Sequence, residues 1–226
     1  TCQGIPVKVF AIKAVPTVNW SSSHPLNFKP APMTLFLLSL GLTLFGLGEA
    51  LMIAAGFGVS PWLVLAEGMS QITGFSIGLT TFFISAMVLL LWIPLKQTPG
   101  LGTLLNALII ALVIDCSLPW LPSPQALFFM GLECLAGTVM VGFGSAIYLM
   151  AHLGPGPRDG LMTGLQRVTQ YPIARVRTSI EIAVVMLGFF LGGTVGLGTL
   201  VFAFVIGPSV SAGLFVVSNL SSDDEG

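Results

Sequence analysis

The sequence predicts an all-α membrane protein of six transmembrane helices, arranged as two inverted three-helix repeats, each with a short amphipathic or re-entrant helix. Three observations predict it. Of 226 residues, 54% are hydrophobic and only 8% charged, against about 25% charged in a soluble domain, so no charged surface is available to enclose an apolar core. Every Lys and Arg falls in segments that a six-span count places on one side. A shift of 96 residues lays one half of the chain on the other without a gap.

A span needs about 20 apolar residues to cross the hydrocarbon core. Six segments qualify, 35–55, 77–95, 101–120, 126–151, 178–191 and 195–217, and the fifth needs neighbouring residues to reach across. Residues 1–32 hold Lys8, Lys13 and Lys29 among prolines, with no apolar run of the signal-peptide kind. Met33 directly precedes the first span and is the expected native start, which makes 1–32 a tail. The organisation expected is then a first membrane repeat over 33–125, a second over 126–217, and an acidic cytoplasmic tail over 218–226. The basic residues are Lys8, Lys13, Lys29, Lys96, Arg158, Arg167, Arg175 and Arg177. With six spans they share one side, and the positive-inside rule makes that side, and both termini, cytoplasmic.

In the 96-residue register Gly41 falls on Gly137, Gly48 on Gly144, Gly58 on Gly154, Pro61 on Pro157, Gly68 on Gly164 and Thr73 on Thr169. The run Gly100-Leu101-Gly102-Thr103-Leu104 falls on Gly196-Leu197-Gly198-Thr199-Leu200. Matching glycines and prolines carry more weight than matching leucines, because each marks a backbone requirement. Three spans is an odd number, so the second repeat enters from the opposite face, a plan common in transporters. Between the first and second span of each repeat lies a short helix, 62–73 and 158–169. Ser60 and Pro61 are an N-cap and first-turn residue for the former, and Pro157 opens the latter. A dozen residues cover about 18 Å, too little to span. Each helix either lies at the interface or re-enters and lines a cavity.

No catalytic motif of the HExxH, GxSxG or Walker type is present, and the cysteines Cys2, Cys116 and Cys134 have neither CxxC nor metal spacing. Cys116 and Cys134 fall in apolar runs and read as small buried hydrophobes. The expectation is a non-enzyme without cofactor or metal, and the net charge of -1 gives no case for a nucleic-acid partner. The informative residues are acids in apolar segments: Glu49, Asp115, Glu133 and Glu181. A charge at mid-membrane costs at least about 2.5–3.5 kcal/mol and usually faces the protein interior. Glu181 follows Arg177 by four residues, the spacing of a helical ion pair. Asp115 lies near the end of its span and reads as reaching water. Glu49 and Glu133 have no basic residue nearby in sequence, which makes them candidates for function or for a protonated, hydrogen-bonded structural role. The turn Gly154-Pro155-Gly156-Pro157-Arg158-Asp159-Gly160 sets an Arg at a helix start, where free N–H groups suit an anion; the plainer reading is a tight turn with an Arg158–Asp159 surface pair. Arg158, Asp159, Arg177 and Glu181 are expected to cluster on the cytoplasmic side of the second repeat. Their counterparts Trp62, Leu63, Thr81 and Ser85 are uncharged.

The stretch from Gly154 to Met162, then Val176-Arg177, Glu181, Leu191-Gly192-Gly193, Gly196-Leu197-Gly198-Thr199 and Gly207-Pro208, resembles the bacterial YczE/YitT-type membrane proteins. The likeness extends over about 33–217 and departs from the pattern at Gln170-Tyr171-Pro172, where a Gly-Ser-like turn would be expected. It implies a bacterial inner-membrane location and supplies no activity. Two functional readings follow. One is a small inverted-repeat transporter or channel-like protein for a small polar or anionic solute, with the lipid bilayer as its surroundings. The other is a non-transporting accessory protein that scaffolds another enzyme or pathway.

Overall fold

The computed structural model describes residues 15–222. Cys2, Lys8 and Lys13, and the acids Asp223, Asp224 and Glu225, lie outside them. Every regular element among the described residues is helical. Helix α1 spans Pro32–Ala55, α2 Pro61–Thr73, α3 Ile77–Trp92, α4 Leu101–Ser117, α5 Leu127–Met150, α6 Pro157–Thr169, α7 Ile173–Phe190 and α8 Leu197–Ser222. A 3-10 turn, Leu118–Trp120, extends α4. Four helices are long and apolar enough to cross a membrane alone: α1, α4 with its extension, α5 and α8. Helices α2 and α3 pass that test only together, as a pair bent by 112°. At about 1.5 Å per residue, α3 alone reaches about 24 Å. Helix α7 has 18 residues but carries Arg175, Arg177 and Glu181.

Several boundaries differ from expectation. Helix α7 starts at Ile173, five residues before the apolar run at 178, because Arg175 and Arg177 continue the helix past the end of the hydrophobic stretch. The turn between α6 and α7 is therefore three residues, Gln170 to Pro172, rather than about eight. Helix α8 continues to Ser222, so the first residues of the supposed acidic tail are helical. Residues 15–31 are no loose tail, since they lie across one end of the bundle. Trp20 is 9% exposed, its Nε1 donates to Ser221 Oγ at 3.1 Å, and its carbonyl accepts from Thr34 Oγ1 at 2.6 Å. Ser21 Oγ donates to the Met150 carbonyl at 2.6 Å. One tryptophan and two valines, Val15 and Val18, supply the apolar contacts; so short a patch does not register as an apolar run.

The bundle is centred on α1 against α5. Glycines permit the close approach. A Cβ on Gly48 would stand 2.5 Å from the Gly137 carbonyl, and one on Gly137 would stand 2.6 Å from the Gly48 carbonyl. A Cβ on Gly144 would likewise stand 2.6 Å from the Gly41 carbonyl. Helix α4 packs on α1 and α8 on α5, while α2 packs on α7 and α6 on α3. Cross-half hydrogen bonds recur 96 residues apart. Gly102 N donates to the Leu153 carbonyl at 2.7 Å, and Gly198 N to the Phe57 carbonyl at 2.8 Å. Gln71 Nε2 donates to the Gly192 carbonyl at 2.6 Å, and Arg167 Nη2 to the Lys96 carbonyl at 3.2 Å. One contact lacks its counterpart. Helix α3 packs on α4, whereas α7 and α8 hardly touch.

Helix α2 packs inside the protein along its first two turns. Residues 61–68 of α2 are all buried, Glu67 included, and its carboxylate accepts from Thr194 N at 2.9 Å. Both short helices end in a left-handed residue, Gly74 at φ 74° and Gln170 at φ 58°. Gln170 is the departure from the family pattern noted in the sequence, and it adopts a conformation that favours glycine.

Candidate functional site

Helices α2 and α6 begin with Pro61 and Pro157, which suit a first helical turn because its N–H has no partner there. Both helix starts reach the wall of one cavity of about 170 Å³. Into it project Trp62 from α2, Thr81 and Ser85 from α3, Asn106 from α4, Tyr148 from α5, Arg158 and Asp159 from α6, and Arg177 and Glu181 from α7. Phe45, Ile110 and Val141 supply apolar wall, as do Phe202, Ile206 and Val210 of α8.

Arg158 Nη1 lies 3.7 Å from Glu49 Oε1, with side-chain exposures of 19% and 0%. Its guanidinium also lies over the Trp62 ring, 5.4 Å from the centroid. Behind it, Ser60 Oγ lies 3.0 and 3.1 Å from the two Glu49 oxygens. The N-cap role expected of the Ser60 side chain is thus not seen: no capping bond forms to it, and the hydroxyl donates to the buried Glu49 carboxylate instead. Asp159 accepts from Tyr148 OH at 2.6 Å and makes no ion pair with Arg158, so the surface pair considered from the sequence does not form. Arg177 Nε donates to Glu181 Oε1 at 2.8 Å, with side-chain exposures of 48% and 25%.

Five of the six candidate residues therefore meet at this cavity: Arg158, Asp159, Arg177 and Glu181 in its wall, and Glu49 directly behind Arg158. The sixth, Glu133, does not. It sits early in α5, its Oε1 buried and without a hydrogen-bond partner, outside the cavity lining. Asp115 is also elsewhere, and rather than reaching for water it holds the start of α3, accepting from Ser76 Oγ at 2.5 Å and Gly78 N at 2.8 Å. Cys134 is buried, whereas Cys116 is exposed, contrary to its apolar setting in sequence. Among the described residues no group of His, Cys, Asp and Glu has the arrangement of a metal site.

Sequence reasoning missed Tyr148, Asn106, Ser60 as partner of Glu49, and Ser145, which is 8% exposed in the cavity wall. For Trp62, Thr81 and Ser85 the signal was present, since the 96-residue register equates them with Arg158, Arg177 and Glu181. The register pairs them as counterparts, and the fold turns counterparts into neighbours.

A helical bundle of apolar spans, with the charged side chains of Arg158, Asp159, Arg177 and Glu181 in the wall of a cavity between its helices, defines an integral membrane protein. Residues 33–213 match a family of unknown function, DUF6198, and the chain belongs to that family. It is similar to an uncharacterized protein of Haemophilus influenzae, 43% identical over 211 residues. That match covers 92% of this chain and 95% of that protein, so it reaches ahead of Met33. The uncharacterized membrane protein YczE of Bacillus subtilis is 29% identical over 174 residues, 76% of this chain and 78% of its own length. The uncharacterized protein YyaS of the same organism is 29% identical over 168 residues, 71% and 82% of the two chains. The YczE likeness read from the sequence thus stands. No solved structure matches the chain.

Proposed function

We propose that this protein is a small transporter or channel-like protein of the bacterial inner membrane, which holds a small polar solute between two oppositely oriented repeats of three spans. The short helices α2 and α6 re-enter rather than span, and α3 and α7 complete the count of six, with both termini in the cytoplasm. It is read as a non-enzyme, on the lack of any catalytic motif in the sequence. The observation that carries the reading is the make-up of the cavity wall. Trp62 and Arg158, Thr81 and Arg177, Ser85 and Glu181, and Ile110 and Ile206 are four pairs 96 residues apart, and all eight residues line it. A cavity on the axis relating inverted repeats is where a transporter places its substrate. The reciprocal bonds of Gly102 and Gly198, and of Gln71 and Arg167, support the same axis. Both guanidinium groups are already engaged by carboxylates, which favours a polar solute over a simple anion.

The accessory reading draws on Glu49, which is wholly buried and held by two partners. Water access separates the two readings. With Cys2, Cys116 and Cys134 replaced, Ser85→Cys and Ser145→Cys should each react with a membrane-impermeant thiol reagent in native vesicles. Two inert thiols would leave the scaffold reading in place of transport.

A further inference from the structure

We propose that the Arg177–Glu181 pair on α7 is the recognition element of the cavity and that its ligand is a small zwitterion, a molecule of amino-acid size carrying one carboxylate and one ammonium group. The inference deepens the transport reading and rests on it for the cavity being a solute site.

The two ion pairs at the cavity differ in kind. Arg158–Glu49 is locked: the carboxylate is fully buried and bonded to Ser60, and the guanidinium is stacked on Trp62. Arg177–Glu181 is open, with half of the Arg177 side chain and a quarter of that of Glu181 exposed, joined through Nε. An exposed pair of this i,i+4 kind contributes little to stability and exchanges partners readily. Its helix is the least embedded in the bundle, with Val176 and Gly188 its only buried residues, and it hardly touches α8. The same cavity wall also carries the hydroxyls of Thr81 and Ser85 and the amide of Asn106, which can hold polar ligand atoms without adding charge.

Charge conservation then selects the ligand. A simple anion that takes Arg177 strands the Glu181 carboxylate, and a simple cation that takes Glu181 strands the guanidinium. The group left over then lies beside a ligand of its own sign, and that repulsion offsets what the new contact returns. A zwitterion strands neither: its carboxylate replaces Glu181 on Arg177, its ammonium replaces Arg177 on Glu181, and one ion pair becomes two. The remaining groups already balance. Asp159 sits in the first turn of α6 and Glu49 lies at the start of α2, where each offsets the partial positive charge of a helix N-terminus, and Arg158 faces Glu49. A volume of about 170 Å³ admits a small amino acid.

The test is calorimetric titration of the purified full chain in lipid nanodiscs with four probes at equal ionic strength: L-alanine, β-alanine, acetate and ethylammonium. At least one amino acid should bind saturably, about tenfold or more tighter than acetate or ethylammonium. Arg177→Gln and Glu181→Gln should each weaken that binding about tenfold, and the double variant, which keeps neither contact, should bind no tighter than either alone. The single variants should also shift in opposite directions, Arg177→Gln gaining ethylammonium and Glu181→Gln gaining acetate. Thermal unfolding midpoints of the variants report whether each is folded. Equal binding of acetate and alanine by the natural sequence, no binding of either amino acid, or variants that leave selectivity unchanged would each overturn the proposal. Failure of the transport reading is separate: amino-acid binding without uptake into proteoliposomes would refute transport and leave recognition standing, whereas uptake of acetate or ethylammonium but of neither amino acid would do the reverse.

Discussion

Glu49 and Arg158 make the sharpest case for a perturbation whose size follows from the structure. The Glu49 side chain is wholly buried and that of Arg158 is one-fifth exposed, 3.7 Å apart. Removing one member of a buried pair costs about 3–5 kcal/mol because the other charge is stranded. Two features lower the figure here: the separation is long for an ion pair, and Ser60 still bonds the carboxylate. Arg158→Gln should therefore cost about 3 kcal/mol. Glu49→Gln should cost less, about 2 kcal/mol, since Arg158 keeps some water and its contact with Trp62. The double variant leaves two neutral amides and should cost about 2 kcal/mol rather than the sum, a coupling of about 3 kcal/mol. Reversible unfolding in mixed detergent–SDS micelles measures all three. Single-variant costs that add within about 0.5 kcal/mol, or an Arg158→Gln cost below about 1 kcal/mol, would refute the argument that these groups stabilise each other.

Three further outcomes test the packing. Gly48→Ala should destabilise by about 2 kcal/mol or more, because its Cβ would stand 2.5 Å from the Gly137 carbonyl, while Gly207→Ala, where a Cβ meets nothing within 4 Å, should be neutral or gain up to about 1 kcal/mol; thermal unfolding in detergent separates them. Gly74→Ala should cost about 1 kcal/mol from its positive φ alone, since its Cβ too has open space, and the same unfolding assay reads it. Gln71→Leu and Arg167→Leu should each raise amide hydrogen exchange in the loop that the other half contributes, residues 191–196 for Gln71 and residues 93–100 for Arg167; the loss of one hydrogen bond near 1 kcal/mol predicts about fivefold for Gln71→Leu, and at least that for Arg167→Leu, which loses its bonds to both the Leu95 and Lys96 carbonyls.

Much of this arrangement was legible because its signals are local or repeat. Apolar runs mark α1, α4, α5 and α8, and the prolines at 61 and 157 place both short helices to within a residue. The Arg177–Glu181 pair follows from spacing alone. Other features depend on distance in sequence. Nothing near Glu49 announces Arg158, 109 residues later, and Tyr148 gives no sign that it will bind Asp159. Glu67 reads as part of a polar helical face, but the fold buries it against the backbone of Thr194. Glu133 looked equivalent to Glu49 because both are lone acids in apolar runs; which side of its helix faces the cavity decides between them, and nearly uniform apolar sequence carries little of that information. The end of α7 that holds Arg175 was missed because a hydropathy reading stops at charge, whereas a helix does not.

The central claim is that equivalent segments of the two halves face opposite sides of the membrane. Thr73 and Thr169 test it most directly. They are 96 residues apart, both exposed, and each ends a short helix. In a background with the three native cysteines replaced, Thr73→Cys and Thr169→Cys should be labelled by an impermeant maleimide from opposite faces, Thr73→Cys in intact cells and Thr169→Cys only in inverted vesicles. Labelling of both thiols from the same face would contradict the inverted arrangement and the cavity axis built on it.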